Sequence, residues 1–401
     1  MMSKKNLYVF RVFQLFYTVF LLVLIMKDLC LGSYDKNAFA DLFINYQGGF
    51  IRRGLLGELL LQCYHAGFNP ITIALILSFA SFIVIAYYII TQFVRRKYEL
   101  GLLLAGFMLG GFGVYGFGGF RRDFMMLCLF LLIVTLFRKY KNKWVIYGGG
   151  NLLVSLAILL YEPFVFWGLP LLFLLSLRHF NYIKAMLVWL PSVLVFLICC
   201  KFPGGEEVYQ QVWQSVSGFL DTPGIIAFLR RPTDEVIHFH LTTNFGTYHH
   251  IPTLLISVVS LFSLVYYFVN GIYAFAQSVE TKQHRCYLLL TMCFVLFCQL
   301  PMFTVLSTDY SRTCIVSTLG SLIFYFSLST DELNKIFHPR LIRIANKLID
   351  FVDSKITPSP YIIIFLLLFV GVTSWTGSNE GFLGTSELGE IIRVLSRPFR
   401  M

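Results

Sequence analysis

Ionisable residues are scarce in this 401-residue chain, and their placement decides what chemistry it could do. The stretch from Asp41 to Gly54 holds one carboxylate, the pair Arg52-Arg53 and the glycines Gly48, Gly49 and Gly54. A carboxylate can take a proton from a hydroxyl, and a planar guanidinium can fork onto phosphate oxygens. The glycines around the pair let backbone approach an anion. Asp35 lies just upstream, in a segment that is dense in polar groups for this chain. Three further places set charge beside a chain turn: Gly118-Gly119-Phe120-Arg121-Arg122-Asp123, Tyr161-Glu162-Pro163 and Asp309-Tyr310-Ser311-Arg312. Asp41 and Asp35 are therefore candidate bases. Arg52, Arg53, Arg121, Arg122, Asp123, Glu162, Asp309 and Arg312 are candidates for binding phosphate or substrate. Each pattern also has a plainer reading. The first is a solvated Gly turn, Glu162 caps the helix that Pro163 opens, and Asp309 pairs locally with Arg312.

The elements that must position these residues are apolar. Hydrophobic types make up 57% of the chain and charged types 13%, about half the charged share of an ordinary soluble domain, which is about 25%. A soluble enzyme and a disordered chain are excluded, and a porin-type barrel would need short alternating strands rather than long apolar blocks. Apolar blocks bounded by charge or proline fall at 7–26, 70–92, 100–117, 124–137, 145–161, 164–177, 182–200, 252–275, 286–306, 313–328 and 361–375. The fold class expected is an all-α polytopic transmembrane helical bundle of about eleven spans, forming a single integral membrane domain over 1–401. Lys4 and Lys5 precede the first block, but Lys27 and Asp28 stand where a small-residue cleavage site would be, so the block reads as a retained span.

With the N-terminus in the cytosol, the inner segments take nineteen of the 32 Lys and Arg but only six of the 21 acids. Positive charge on the inner side is the usual rule, which supports a cytosolic N-terminus and a C-terminus on the far face. Outer loops then cover about 27–69 and 201–251. Of the thirteen outer basic residues ten are Arg, whereas Lys predominates inside. Charge that only sets topology has no reason to favour Arg, so the outer pairs suggest anion recognition. Arginine snorkelling at a helix end explains any one pair equally well.

Leu55, Leu56, Leu59 and Leu60 oppose Glu58, Gln62 and His65, and Val208, Val212, Val216 and Phe219 keep helical spacing. Both stretches suit interfacial helices in the outer loops. Residues 335–352 read as a basic amphipathic helix on the cytosolic surface, attracted to anionic lipid. His238-Phe239-His240 lacks companions at zinc-site spacing, and most cysteines fall in apolar blocks, where a thiol behaves as a small hydrophobe. The net charge of +11 is distributed by topology rather than clustered on a domain, so no nucleic-acid partner is expected.

The first outer loop with Asp35 and Asp41, the helix after it, the acids and arginines at successive outer hinges and the many spans resemble bacterial GT-C glycosyltransferases and O-antigen or capsule polymerases. Gly48-Gly49-Phe50-Ile51-Arg52-Arg53-Gly54-Leu55-Leu56-Gly57 is the most distinctive string. The resemblance implies a donor sugar carried on a polyprenyl phosphate or diphosphate and a glycan acceptor, at the outer side of the inner membrane. Asp41, with Asp35 second, would serve as base. No cofactor is implied beyond a divalent cation that a diphosphate could bring. The competing reading is a transporter or flippase for a lipid-linked or anionic glycan, which would place ionisable groups near mid-membrane on broken helices.

Overall fold

The computed structural model describes Val12 and residues 36–96, 122–245, 279–306 and 310–355. Every regular element among them is helical. A single turn, Lys36–Phe39, tightens into a 3-10 turn at Ala40–Phe43. Then come α1 (Gly54–His65), α2 (Pro70–Arg95), α3 (Asp123–Lys139), α4 (Lys143–Leu160), α5 (Phe164–Ser176), α6 (Tyr182–Leu187), α7 (Leu190–Lys201) and α8 (Glu206–Val216). A 3-10 turn at Gly224–Arg230 leads to α9 (Thr233–Phe245). Last are α10 (Val279–Cys298), a π-helical turn at Met302–Leu306, α11 (Tyr310–Phe326), α12 (Thr330–Ile336) and α13 (Pro339–Lys355).

Local chemistry sets these boundaries. The Asn142 side chain accepts from the Trp144 amide at 2.9 Å, Asn181 from the Lys184 amide at 3.1 Å, and Ser329 closes a capping box with Glu332. Short polar side chains thus satisfy amides that a helix start leaves unpaired. The expected span 182–200 is two helices, because Pro191 sits in the first turn of α7. A continuous helix there would lose a hydrogen bond and clash with the preceding turn. Pro339 likewise opens α13, so the expected helix over 335–352 is divided between α12 and α13.

The expected spans 100–117, 252–275 and 361–375, and all of 7–26 except Val12, lie outside the described residues. The other seven fall on helices. Two of these, α2 with 26 residues and α4 with 18, are long and apolar enough to cross a membrane. α5 and α7, with parts of α10 and α11, are apolar but shorter. On α2, Ile76 is 61% exposed, Tyr87 72% and Val94 59%. Large apolar side chains arrayed on the outside of a long helix suit a lipid solvent rather than water.

The chain divides into two compact units, one made of residues 36–85 and 122–241 and the other including 86–96, 279–306 and 310–355. In the first, α3 and α7 pack on α4. Aromatic contacts line these helices: Phe130 meets Trp167 with ring centres 5.5 Å apart, and Phe137 meets Tyr147 at 5.2 Å. The same unit carries an apolar core formed by Phe39, Phe43, Ile51, Leu56, Leu60, Val212, Val216 and Ile226. That core revises the expectation for α8. Its apolar stripe does not lie open to a bilayer, because Tyr209, Val212 and Val216 are buried in protein. Helical spacing shows that one face is apolar without showing what covers it.

In the second unit α10 packs on α11 and α13. Cys286 meets Ala345 and Ile349, and Arg285 donates two 2.9 Å hydrogen bonds to Asp353. The rest of α13 faces outward: Leu341, Ile344, Leu348 and Phe351 are exposed beside Arg340, Arg343 and Lys347.

In the first unit the tightest approach is at Gly57, where an added Cβ would overlap the Ile44 carbonyl, which is backbone and cannot rotate away. Gly57→Ala should therefore destabilise this core by about 1–3 kcal/mol. The check is the thermal midpoint of the full chain in detergent, with Gly149→Ala, where the nearest atom is an ordinary 3.6 Å away, as the neutral control.

Candidate functional site

The site grows from the segment between the 3-10 turn and α1. Gly49, at φ +95°, closes a turn in which its amide donates to the Tyr46 carbonyl at 2.9 Å. Glu58, from the second turn of α1, accepts from the Tyr46 amide at 3.1 Å and so anchors that turn. Three residues after Gly49 the Arg52 amide donates to the Phe202 carbonyl at 3.2 Å, which ties the segment to the end of α7. Arg53 then takes a left-handed conformation, φ 66° and ψ 7°, the one non-glycine residue among those described with positive φ. In extended chain, neighbouring side chains point to opposite sides. The left-handed step lets both guanidiniums reach one carboxylate, that of Glu162.

Glu162 stands at the hinge between α4 and α5. Arg53 donates from Nε to its two oxygens at 2.9 and 2.8 Å, and from Nη2 to Oε1 at 2.7 Å. Arg52 Nη1 lies 3.7 Å from the same Oε1, and the Tyr161 ring lies under the Arg53 guanidinium with its centre 4.8 Å away. Arg53 also faces Asp41, its Nη1 3.6 Å from Oδ1.

Arg122 completes the group from the start of α3. It is fully buried. Its Nη1 donates to the carbonyls of Arg53 and Leu160, each at 2.6 Å; Nη2 donates to the Asp41 carbonyl, and Nε lies 3.3 Å from Asp41 Oδ2. Both Nη atoms thus donate to carbonyls, whereas Nε makes no hydrogen bond and has the ion-pair contact with Asp41 alone. Arg122 therefore holds three chain segments together and leaves no face for a ligand, which corrects its expected place among the phosphate-binding arginines.

Electrostatics separates the three arginines. Burial works against the charge of Arg53, but Glu162, Tyr161 and Asp41 overcome it and raise its pKa well above the ordinary value. Burial lowers the pKa of Arg52, with Glu162 offsetting part of the shift and Arg53 adding to it. Burial also lowers that of Arg122, against the pull of Asp41. For Glu162, burial pushes the carboxyl up, and Arg53 and Arg52 together outweigh it and hold it below the usual range. The five residues carry three positive charges against two negative ones, so the group bears a surplus cation. Arg52 is where that surplus can be met. Its side chain is 28% exposed, against 24% of Arg53 and none of Arg122, and where Arg53 makes three short hydrogen bonds to Glu162 the ion-pair contact of Arg52 is the longest of the set.

No family model, curated protein or solved structure matches this chain.

Of the ten residues singled out by sequence, the structure thus brings together Asp41, Arg52, Arg53, Arg122 and Glu162. Asp123 is buried in the first turn of α3. Asp35, Arg121 and Asp309 lie outside the described residues, and Arg312 sits in the first turn of α11 with its side chain outside them. Tyr161 was not among the ten. Its signal was its place next to Glu162, which allows its ring to meet whatever cation the carboxylate attracts. Among the described residues no group of three or more His, Cys, Asp or Glu could hold a metal ion.

The depressed pKa of Glu162 carries a pH dependence. Its contribution to stability is fully present above the ordinary value of 4.5 and is lost as pH falls through the lower folded value. The thermal midpoint of the full chain should thus drop on acidification below that point. Glu162→Gln should lower stability near neutral pH by about 3–5 kcal/mol, because it leaves Arg53 with only the longer contact to Asp41, and should flatten the acid-side decline. Thermal melts of both proteins across that range provide the check.

Proposed function

We propose that this chain is a membrane glycosyltransferase that uses a sugar or oligosaccharide on a polyprenyl phosphate or diphosphate, at the outer side of the inner membrane, in surface-polysaccharide assembly. The observation that supports it is the cluster itself. Residues more than a hundred positions apart in the chain meet with a cation in excess, and Arg52 is partly exposed and makes the longest ion-pair contact of the set. The long apolar helices with outward-facing side chains fit the multi-span body read from the sequence, with about eleven crossings, a cytosolic N-terminus and the cluster on the far face.

In this mechanism Arg52 takes the phosphate of the donor. The bond from the anomeric carbon to the phosphate oxygen breaks with its electron pair left on phosphate, and a bond forms to an acceptor hydroxyl whose proton passes to Asp41. Attack on an oxocarbenium-like carbon asks for little basicity, since the hydroxyl becomes acidic as the new bond forms. A fixed guanidinium in a water-poor site stabilises the charge that develops on the leaving group. Arg53 and Glu162 hold Arg52 in reach, and Arg122 fixes Asp41 through its backbone.

Transport is the competing reading. A flippase must carry the anion across and so needs charged groups along its path, whereas the described apolar helices keep their charges at or near their ends.

Extension of a lipid-linked glycan by membranes carrying the full chain tests the proposal. Arg52→Ala should slow it by on the order of 10²-fold, the usual cost of one lost oxyanion contact. Asp41→Asn should reduce it comparably. Wild-type extension by both variants at normal expression would remove the site from consideration. Retained lipid-linked glycan translocation without any extension would favour the transporter.

A further inference from the structure

Two aromatic residues adjoin Arg52 along the backbone and are not used by the proposed chemistry: Phe50, two positions before it, and Phe202, whose carbonyl accepts its amide. Phe50 is 41% exposed although Ile44 and Ile51 on either side of it are buried, and Phe202 is 45% exposed at the end of α7, a helix that also exposes Leu194, Leu197 and Ile198. They meet edge to face, ring centres 5.2 Å apart at 84°. Phe50 also stacks on Tyr46 at 5.6 Å and 13°. Their backbones are held as well. The Tyr46–Gly49 turn fixes the approach to Phe50, and the Phe202 carbonyl receives the Arg52 amide. Solitary exposed Phe residues are common on any surface. A pre-packed aromatic corner next to an under-compensated guanidinium is a more specific arrangement, because it offers an apolar ring face and a cation within a few residues of each other.

We propose that Tyr46, Phe50 and Phe202 form a carbohydrate-stacking platform whose ligand is a glycosyl phosphate, with the sugar ring on the exposed Phe faces and the phosphate on Arg52. The CH-bearing face of a pyranose is apolar and weakly electropositive, and suits the negative face of an aromatic ring. A bare phosphate would leave the rings unused. An acyl chain would cover the rings but would not need them in a fixed perpendicular pair. The inference rests on the anion-site reading of Arg52 and adds to it the class of group that the phosphate carries.

The experiment is calorimetric titration of the full chain in lipid nanodiscs with inorganic phosphate, and separately with the 1-phosphates of glucose, galactose and mannose. At least one hexose 1-phosphate should bind roughly two- to tenfold more tightly than phosphate, the range expected of a single aromatic contact. Phe50→Leu with Phe202→Leu keeps the apolar volume and should abolish that preference while leaving phosphate binding unchanged. Arg52→Ala should weaken both ligands. Equal affinity for phosphate and all three sugar phosphates, or a preference that survives the double Leu variant, would overturn the platform and leave the anion site standing; the rings would then belong to the bilayer interface. Absence of binding by any of the four ligands to the wild-type chain would overturn the anion reading and the platform with it. Loss of phosphate binding in the double Leu variant would assign the rings to the packing of the Arg52 segment and also reject the platform.

Discussion

A buried guanidinium must have its charge and its donors met within the protein, and Arg122, whose two Nη atoms donate to carbonyls and whose Nε faces Asp41, sets the arrangement of the charged cluster through that requirement. The carbonyls are those of residues 41, 53 and 160. A side chain bonded to backbone fixes chain position, whereas one bonded to other side chains fixes only their ends. The 3-10 turn, the entry to α1 and the end of α4 are thereby held to a common point. Asp41, Arg53 and Glu162 project from those same three places. The order of causation runs from the buried arginine to the backbone and only then to the groups that could meet a ligand.

The left-handed residue follows from the same constraint. A non-glycine residue pays of order 1–2 kcal/mol in that region of backbone space. Arg53 is kept there by its carbonyl, which Arg122 holds, and by its side chain, which Glu162 and Tyr161 hold from the other end. With both ends fixed the strained conformation becomes the one that satisfies the most charge. It is also what leaves Arg52 alongside Glu162 at 3.7 Å rather than turned to the opposite side of the chain.

Much of this was legible in the sequence, and the failures have physical causes. The rarity of charge in an apolar chain made Asp41, Arg52, Arg53, Arg122 and Glu162 conspicuous, since a buried or membrane-adjacent charge is retained only where it is matched. Residue type could not separate their roles. Arg52, Arg53 and Arg122 are chemically identical, and only burial distinguishes one that anchors backbone from one that faces outward. Helix positions were legible from apolar runs; the division within 182–200 also had a local mark in Pro191, but the unbroken apolar run on its two sides reads as one span. The apolar stripe of α8 was legible as a stripe. That protein rather than lipid covers it depends on the partners Phe43, Leu60 and Ile226, which lie well apart in the chain and carry no local mark.

Stability alone is a poor reason for such a cluster. Ions removed from water lose hydration that mutual attraction only partly restores, and well-packed apolar residues in their place often do as well or better. A neutral pair would also have been enough to join two segments. Here the charges do not cancel: the third guanidinium costs desolvation and gains one distant contact with a carboxylate that Arg53 already occupies. An excess cation kept partly exposed at the edge of an otherwise matched network lowers its free energy most by meeting an anion. Phosphate is the anion whose geometry a guanidinium matches best among those a membrane surface supplies. The surplus at Arg52, more than the number of charges nearby, is therefore the feature on which the proposed phosphate-bearing ligand rests.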